Sequence, residues 1–415
     1  MPKAALTERL DARDLRADFP ILSQLIHGKP LAYLDSAASA QKPLCVLEAE
    51  REFYETSYAN VHRGVYELAG RATEGYEGAR EKVRAFVNAT STREIVFTRG
   101  VTEALNLMAY AWGLDNLGPG DVAVVTELEH HSNLVPWQYI ASRTGAEFAA
   151  IPVDDDGELQ LDALDELATR GAVKVVAVGL VSNSLGTVNP VTEIAAWAHD
   201  QGAICVVDAA QAAPHRCIDV QTLGVDAVAF TGHKMLAPSG IGALWARHDL
   251  LEGMSPFNLG GEMIRQVTLE RTTWNELPNK FEAGTPPIAQ AVGLGAAIDY
   301  LEEVGLERIA EHEHELTAYA LERLDAVNGV TVLGPPLERR GGIVSFVVDD
   351  VHPHDVAQVL DFQGIAVRAG HHCTQPLMRR LGLTATTRAS FYLYNVADEI
   401  DRLVDGLETV KQTFA

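Results

Sequence analysis

The stretch Thr231–Gly240, TGHKMLAPSG, follows the run Asp226–Phe230, DAVAF, and decides how the chain is read. DAVAF has the apolar character of a buried strand. A lysine just past such a strand must be paired, exposed or chemically employed. Small residues, Thr231 and Gly232, lead into His233 and Lys234, and Pro238-Ser239-Gly240 leads away. Upstream, a second strand-like run, AICVVD, ends in Asp208, with Gln211 close behind. A lysine to form an imine and an acid to hold a pyridinium nitrogen, on adjacent strand units, are what pyridoxal phosphate chemistry requires. The plainer alternatives are a solvated loop lysine and an Asp that caps a helix.

Outward from this pair the pattern is strand, then helix, repeatedly. EIVFTRG from Glu94 leads into a helix expected over Thr102–Trp112. Val122–Val125, Phe148–Val153, Val173–Val181, Ala203–Val207, DAVAF and Ile241–Ala246 follow. These runs are apolar on both faces, the signature of a largely parallel sheet buried between helices. The spacing predicts an α/β fold with a large domain over residues 22–296. After Gly284-Thr-Pro-Pro, two long helices (Ile288–Val304 and Leu306–Asn328), short strands and a closing helix over Ala397–Phe414 predict a smaller α+β domain over 297–415. A charged helix over Met1–Phe19 is expected, with segment 1–21 packing on that smaller domain.

The chain has 415 residues, 47% of them apolar, and a formal charge of −24. That balance argues against nucleic acid and against a polybasic membrane contact. The N-terminus lacks the apolar core of a signal peptide, and no apolar run is long enough to span a membrane. Four cysteines without C-x-x-C spacing point to a reducing cytoplasm. Cys45, Cys205 and Cys217 read as small buried hydrophobes.

Cys373 is different. It sits in Arg368-Ala-Gly-His-His-Cys-Thr-Gln-Pro, among cationic neighbours and ahead of a helix, where a thiolate is favoured. The strand–Gly100–helix junction opened by Thr102 presents free N–H groups to an anion such as a phosphate. In Glu129-His130-His131-Ser132-Asn133, an imidazole can stack on a pyridine ring and assist proton transfer; a metal site is the alternative, but adjacent histidines rarely reach one ion and no partner ligand is spaced for it. Asn183 and Gln211 can hydrogen-bond a cofactor oxygen, the plainer alternative being ordinary turn or surface residues. Arg388, opening the apolar run that follows it, suits a substrate carboxylate, or else a structural ion pair.

The motifs LDSAASAQKP (34–43), NVHRG (60–64), TRGVTEALNL (98–107), ELEHHSNLVPWQ (127–138), VDAAQAAPH (207–215), TGHKMLAPSG, FEAGTP (281–286), RAGHHCTQPLM (368–378) and RASFYLYN (388–395) run in order through nearly the whole chain. Together they resemble the cysteine desulfurases of the class V aminotransferase group, pyridoxal 5'-phosphate enzymes of fold type I, and most of all the SufS class, or group II. The resemblance implies Lys234 as the Schiff-base lysine, Asp208 as the partner of the pyridine nitrogen and His130 as the stacking imidazole, with His131 adjacent. It implies Thr102, Thr231 and His233 around the phosphate, and Thr285 reaching the phosphate of a neighbouring subunit. Asn183 and Gln211 then face the cofactor oxygen and substrate, and Arg388 the substrate carboxylate. His62 and Arg63 serve the partner's site in a homodimer. Cys373 is the implied sulfur-accepting nucleophile, converting L-cysteine to L-alanine with a persulfide left on the enzyme. That sulfur passes to an acceptor protein of the SufE or SufU kind for iron–sulfur cluster assembly. A selenocysteine lyase or another class V enzyme is the alternative, although an aminotransferase has no use for Cys373. One departure stands out: Leu236 and Ala237 precede Pro238 where the family commonly has an aromatic residue and a glycine.

Overall fold

Seven strands, most of their residues buried, make the centre of the molecule: β1 (Ile95–Thr98), β2 (Asp121–Thr126), β3 (Glu147–Ile151), β4 (Ala172–Gly179), β5 (Ile204–Asp208), β6 (Ala227–Thr231) and β7 (Gly242–Ala246). The computed structural model describes residues 9–414. The strand order is β1-β7-β6-β5-β4-β2-β3, and β7 alone runs antiparallel to its neighbours. The reason is length. A parallel return needs a crossover of roughly a dozen residues or more, and residues 232–241 are too few to supply one. The chain therefore doubles back, and the connection that carries Lys234 stays at the end of β6.

Register brings the site-bearing ends level. Gly179 pairs with Asp208, and Asp208 with Ala229, so the C-terminal ends of β4, β5 and β6 open on one crevice. At the sheet edge a Cβ on Gly242 would lie 2.6 Å from the Cα of Gly100, so only glycine lets β7 pass so close to the turn after β1. Helices Leu44–Thr56, Glu67–Phe86 and Ile288–Val304 pack together beside the sheet. The last presses on the loop after Lys234, because a Cβ on Gly293 would meet Pro238 Cγ at 2.5 Å. The position 296–297, where the sequence predicts a domain boundary, falls inside this helix. Gly305 separates it from the next helix, Leu306–Asp325.

The second unit is a four-stranded antiparallel sheet of β8 (Val330–Leu333), β9 (Ile343–Val348), β10 (Arg368–Gly370) and β11 (Thr386–Ser390), in the order β8-β9-β11-β10. Alternation sorts its faces. Val344, Phe346 and Ala389 join Leu316, Leu360, Leu403 and Leu407 in a core. Ser345, Arg388 and Ser390 turn the other way, and Ser345 Oγ donates to Ser184 O at 2.5 Å, back in the larger unit. Ala32–Tyr33 pairs in parallel with Ile365–Ala366, which delivers Asp35 beside Ser390.

Several elements differ from their sequence expectation. Within the described part of the expected N-terminal helix only Ala12–Leu15 is α-helical, followed by a tighter turn at Arg16–Asp18; residues 1–8 lie outside the described residues. Arg16 nevertheless reaches Glu399 and Tyr394 O. The helix expected over Thr102–Trp112 is α-helical over Val101–Met108 and then widens into a π-helical turn at Ala109–Gly113. Cys45 and Cys217 are exposed rather than buried, since one opens a helix and the other follows a turn; Cys205 alone of the three is buried.

Arg80 is fully buried and donates to both oxygens of Glu282, at 2.6 and 2.9 Å. The same carboxylate accepts from Phe97 N at 2.7 Å and Tyr76 OH at 2.8 Å, tying the FEAGTP segment to β1. Glu282→Ala would leave the buried Arg80 with the partly exposed Glu77 as its remaining carboxylate partner and take away the acceptor of Phe97 N and Tyr76 OH. Stability should fall by about 3 kcal/mol, read as a lower urea midpoint; an unchanged midpoint would show that the pair is dispensable.

Candidate active site

The crevice at the strand ends is a cavity of about 340 Å³. Lys234 enters it from the turn Gly232–Lys234, and Asp208 from the last position of β5. Burial pulls the Lys234 ammonium down from its ordinary range to about 8. Asp208 opposes that shift and Arg388 adds to it. Burial likewise raises the Asp208 carboxyl, against the N–H of Ala210, which donates to Oδ1 at 2.9 Å, and the nearby Lys234 charge. Two groups of opposite charge thus keep each other ionisable in a place that would neutralise either alone.

Gly100 caps the helix Val101–Met108, whose second residue, Thr102, exchanges a 2.7 Å hydrogen bond with Ser132 Oγ. Ser132 belongs to the helix His131–Thr144, which is capped by His130. His130 Nδ1 accepts from Ser132 N at 3.1 Å, which leaves the ring proton on Nε2. Burial first, then Lys234, lowers His130 to about 4, so it is a neutral imidazole. His233 is lowered similarly by burial and by Lys234. Of the adjacent histidines, His130 lines the cavity, whereas His131 lies against the Cys373 loop.

From the smaller unit come Arg388 and Cys373. Arg388 is almost wholly buried; it donates to Asn183 O at 2.7 Å and to Asp35 Oδ1 at 3.1 Å. The amide of Asn183 donates to His372 O at 2.7 Å, so one residue of the larger unit ties down both contributions of the smaller. His372 and Cys373 both adopt left-handed backbone angles, φ 50° and 60°. For non-glycine residues each such angle costs about 1–2 kcal/mol and persists only where surrounding contacts over-determine it.

The cavity thus gathers Thr102, His130, Asn183, Asp208, Gln211, His233, Lys234, Cys373 and Arg388. Thr231 lies beside it, on an opening shared with Thr102 and His233. Thr285, His62 and Arg63 are elsewhere in this chain. Thr285 is exposed, His62 Nε2 meets Glu77 at 2.8 Å and Arg63 meets Glu262 at 3.0 Å. Sequence reasoning passed over Asp35, which holds both Arg388 and Arg368. It passed over Glu129 as well, whose buried carboxylate accepts from Thr126, Gly179 and Asn133. The signal available for Asp35 was its place just after the short apolar run Leu31–Leu34, which contains the strand Ala32–Tyr33. Leu236, in the variant loop, takes φ 67° while fully buried, and Ala237 N donates to Gly232 O at 3.0 Å, closing the turn.

Residues 32–403 match the family Aminotransferase class-V. The chain belongs to this family. Among curated members it is similar to a probable cysteine desulfurase of Halalkalibacterium halodurans, 55% identical with 98% of this chain and 99% of the relative covered. It is 49% identical to the cysteine desulfurase of Haloferax volcanii, with 98% of each covered. Among solved structures, the cysteine desulfurase CsdA from Escherichia coli superposes with a TM-score of 0.91 at 38% identity, covering 98% of this chain and all of that one. A cysteine desulfurase from Thermococcus onnurineus gives 0.92 at 42% identity, covering 98% and 99%. Enzymes of this class use pyridoxal 5'-phosphate, and the cavity fits that group. Gln211 Oε1 and Arg388 Nε line it and are buried without a partner among the described residues, as expected of groups that face a bound polar molecule.

The lowered Lys234 pKa has a direct consequence. The neutral amine is the reactive form, and a lowered pKa supplies it earlier on the pH scale. In cofactor-free protein, borohydride-trapped pyridoxal phosphate on Lys234 should therefore increase through pH of about 8, as read by peptide mapping. A yield rising only above about pH 10, the ordinary lysine range, would contradict this.

Proposed function

We propose that the chain is a pyridoxal-phosphate-dependent cysteine desulfurase that converts L-cysteine to L-alanine and keeps the sulfur as a persulfide on Cys373. The observation carrying this reading is a single cavity where Lys234 and Asp208 from the large sheet meet Cys373 and Arg388 from the small one. Full-length similarity to relatives named cysteine desulfurase supports it. When bound, pyridoxal phosphate supplies an aldehyde for the substrate amine and a ring that takes up the electron pair released at the α-carbon.

The protein's residues do the rest. Thr102, Thr231, His233 and the helix end at Gly100 would hold the phosphate, and Asp208 would keep a proton on the ring nitrogen. His130, a neutral imidazole, would stack on the ring, and Asn183 and Gln211 would hydrogen-bond its oxygen and the substrate side. Arg388, steadied by Asp35 and Asn183 O, offers Nε–H to the substrate carboxylate. Lys234, with its amine pulled down to about 8, takes the α-proton, and protons are then delivered both to the carbon that loses sulfur and back to the α-carbon. Cys373 as thiolate attacks the substrate sulfur: an S–S bond forms, the C–S bond breaks, and its electron pair goes to the substrate carbon. Substrate L-cysteine and the Cys373 thiol become L-alanine and the Cys373 persulfide, with no outside oxidant.

The persulfide leaves by thiol exchange to an acceptor protein of the SufE or SufU kind, feeding iron–sulfur cluster assembly in a reducing cytoplasm. We place the domain division at Gly305 rather than at 296. The chain works as a homodimer in which Thr285, His62 and Arg63 serve the partner's site; that none of them lines the cavity of their own chain supports this. No helix among the described residues is long and apolar enough to cross a membrane.

Cys373→Ser should stay yellow and still change its absorbance with cysteine, yet release under about 1% as much alanine, because a hydroxyl is no substitute for the thiolate. Wild-type protein given cysteine without reductant should gain one sulfur on the Cys373 peptide. Sulfur on Cys45, Cys205 or Cys217 instead, or normal turnover by Cys373→Ser, would end the desulfurase reading. In solution, light scattering should report a dimer; a fully active monomer would rule out shared sites.

A further inference from the structure

The loop that carries Cys373 is held in strained geometry, and one residue outside the cavity does much of the holding. His131 N donates to Cys373 O at 2.8 Å, and His131 Nε2 accepts from Gln375 N at 3.2 Å. Gln375 opens the helix Gln375–Arg380, so its N–H is one of the helix's free donors, and the imidazole satisfies it from the larger unit. On the other side of the thiol, Cys373 N donates to His371 Nδ1 at 3.1 Å, and the His131 and His371 rings lie 5.7 Å apart. The peptide bonds around Cys373 are thus bracketed by two imidazoles, both acting as acceptors. Burial, and then His371, lowers His131 below the usual histidine range, which keeps its Nε2 free to accept.

We propose that His131 is a positioning residue for sulfur transfer, its side chain fixing the left-handed Cys373 turn across the junction of the two units so that the thiol meets the substrate sulfur. The proposal rests on the reading of Cys373 as the sulfur acceptor. His131 does not line the cofactor cavity, and its hydrogen bonds run to the backbone of Cys373 and Gln375, so its effect is confined to the second half of the reaction. Without the Nε2 acceptor, Gln375 N–H loses its partner and the turn relaxes toward ordinary backbone angles. A small misplacement of a nucleophile costs far more rate than binding.

The test uses the holoenzyme of wild type, His131→Ala and His131→Gln, the last because a glutamine Oε1 can accept from Gln375 N. In the alanine variant, kcat for alanine release should fall about tenfold or more. The KM for cysteine and the cysteine-induced change in cofactor absorbance should stay as in wild type. Amide exchange in the peptide spanning Cys373 and Gln375 should speed up at least about threefold. The glutamine variant should recover at least half of both losses. Wild-type kcat in His131→Ala, loss of the absorbance response, or no recovery with glutamine would each overturn the proposal. If the alanine variant does not fold, His131→Leu, which keeps bulk without an acceptor, gives the same contrast with glutamine. The Cys373→Ser experiment keeps His131 intact, so normal turnover there would defeat the sulfur-acceptor reading, while exchange rates still report whether His131 holds the loop.

Discussion

A lysine and an aspartate taken out of water at the ends of neighbouring strands are the constraint on which the rest of the structure depends. Burial raises the proton affinity of Asp208 and lowers that of Lys234, and each is held in check by the other. Either charge alone would cost several kcal/mol in such a place. The fold meets this by level register: Gly179, Asp208 and Ala229 align across β4, β5 and β6, and the short return to β7 keeps Lys234 at that end. Ligands of open α/β sheets bind outside the carboxyl ends of strands for the same reason, because helix N-termini and loop amides gather there.

The second feature is that the site is divided between two units. Alternation along β11 sends Arg388 toward the larger sheet while Ala389 enters the small core. Asn183 then binds Arg388 with its carbonyl and His372 O with its amide. Asp35, delivered by the short parallel pairing of Ala32–Tyr33, completes the hold on the guanidinium. Relative movement of the units would therefore disturb the carboxylate clamp and the nucleophile together. This explains why the Cys373 turn tolerates two strained residues: it is tied on both sides rather than left to its own preference.

Much of this is legible in the amino-acid sequence. Asp208 and Lys234 announce themselves because charged residues directly after buried strands are few, and Gly100–Thr102 because a strand–glycine–helix junction has one obvious use. The histidine pair was not resolved, since adjacent residues on a loop give no face. Only the capping bond from Ser132 N to His130 Nδ1 turns His130 toward the cavity and leaves His131 on the Cys373 loop. Asp35 and Glu129 were missed because their partners lie far away in sequence. The burial expected of Cys45 and Cys217 failed because apolar neighbours in sequence do not imply apolar neighbours in space.

What the sequence by itself determined is local and chemical. Strand runs, breaks, the residue types around a cofactor and the order of the motifs follow from propensity, patterning and reactive groups written along one chain. The tertiary structure decided which of these meet. The antiparallel turn of β7, the helix Ile288–Val304 that carries the larger unit past the expected boundary, and the crossing bonds of Asn183, Asp35 and His131 depend on distances between residues up to hundreds of positions apart. No periodicity encodes such distances. They are set when buried faces close on one another and every polar group left inside must find a partner.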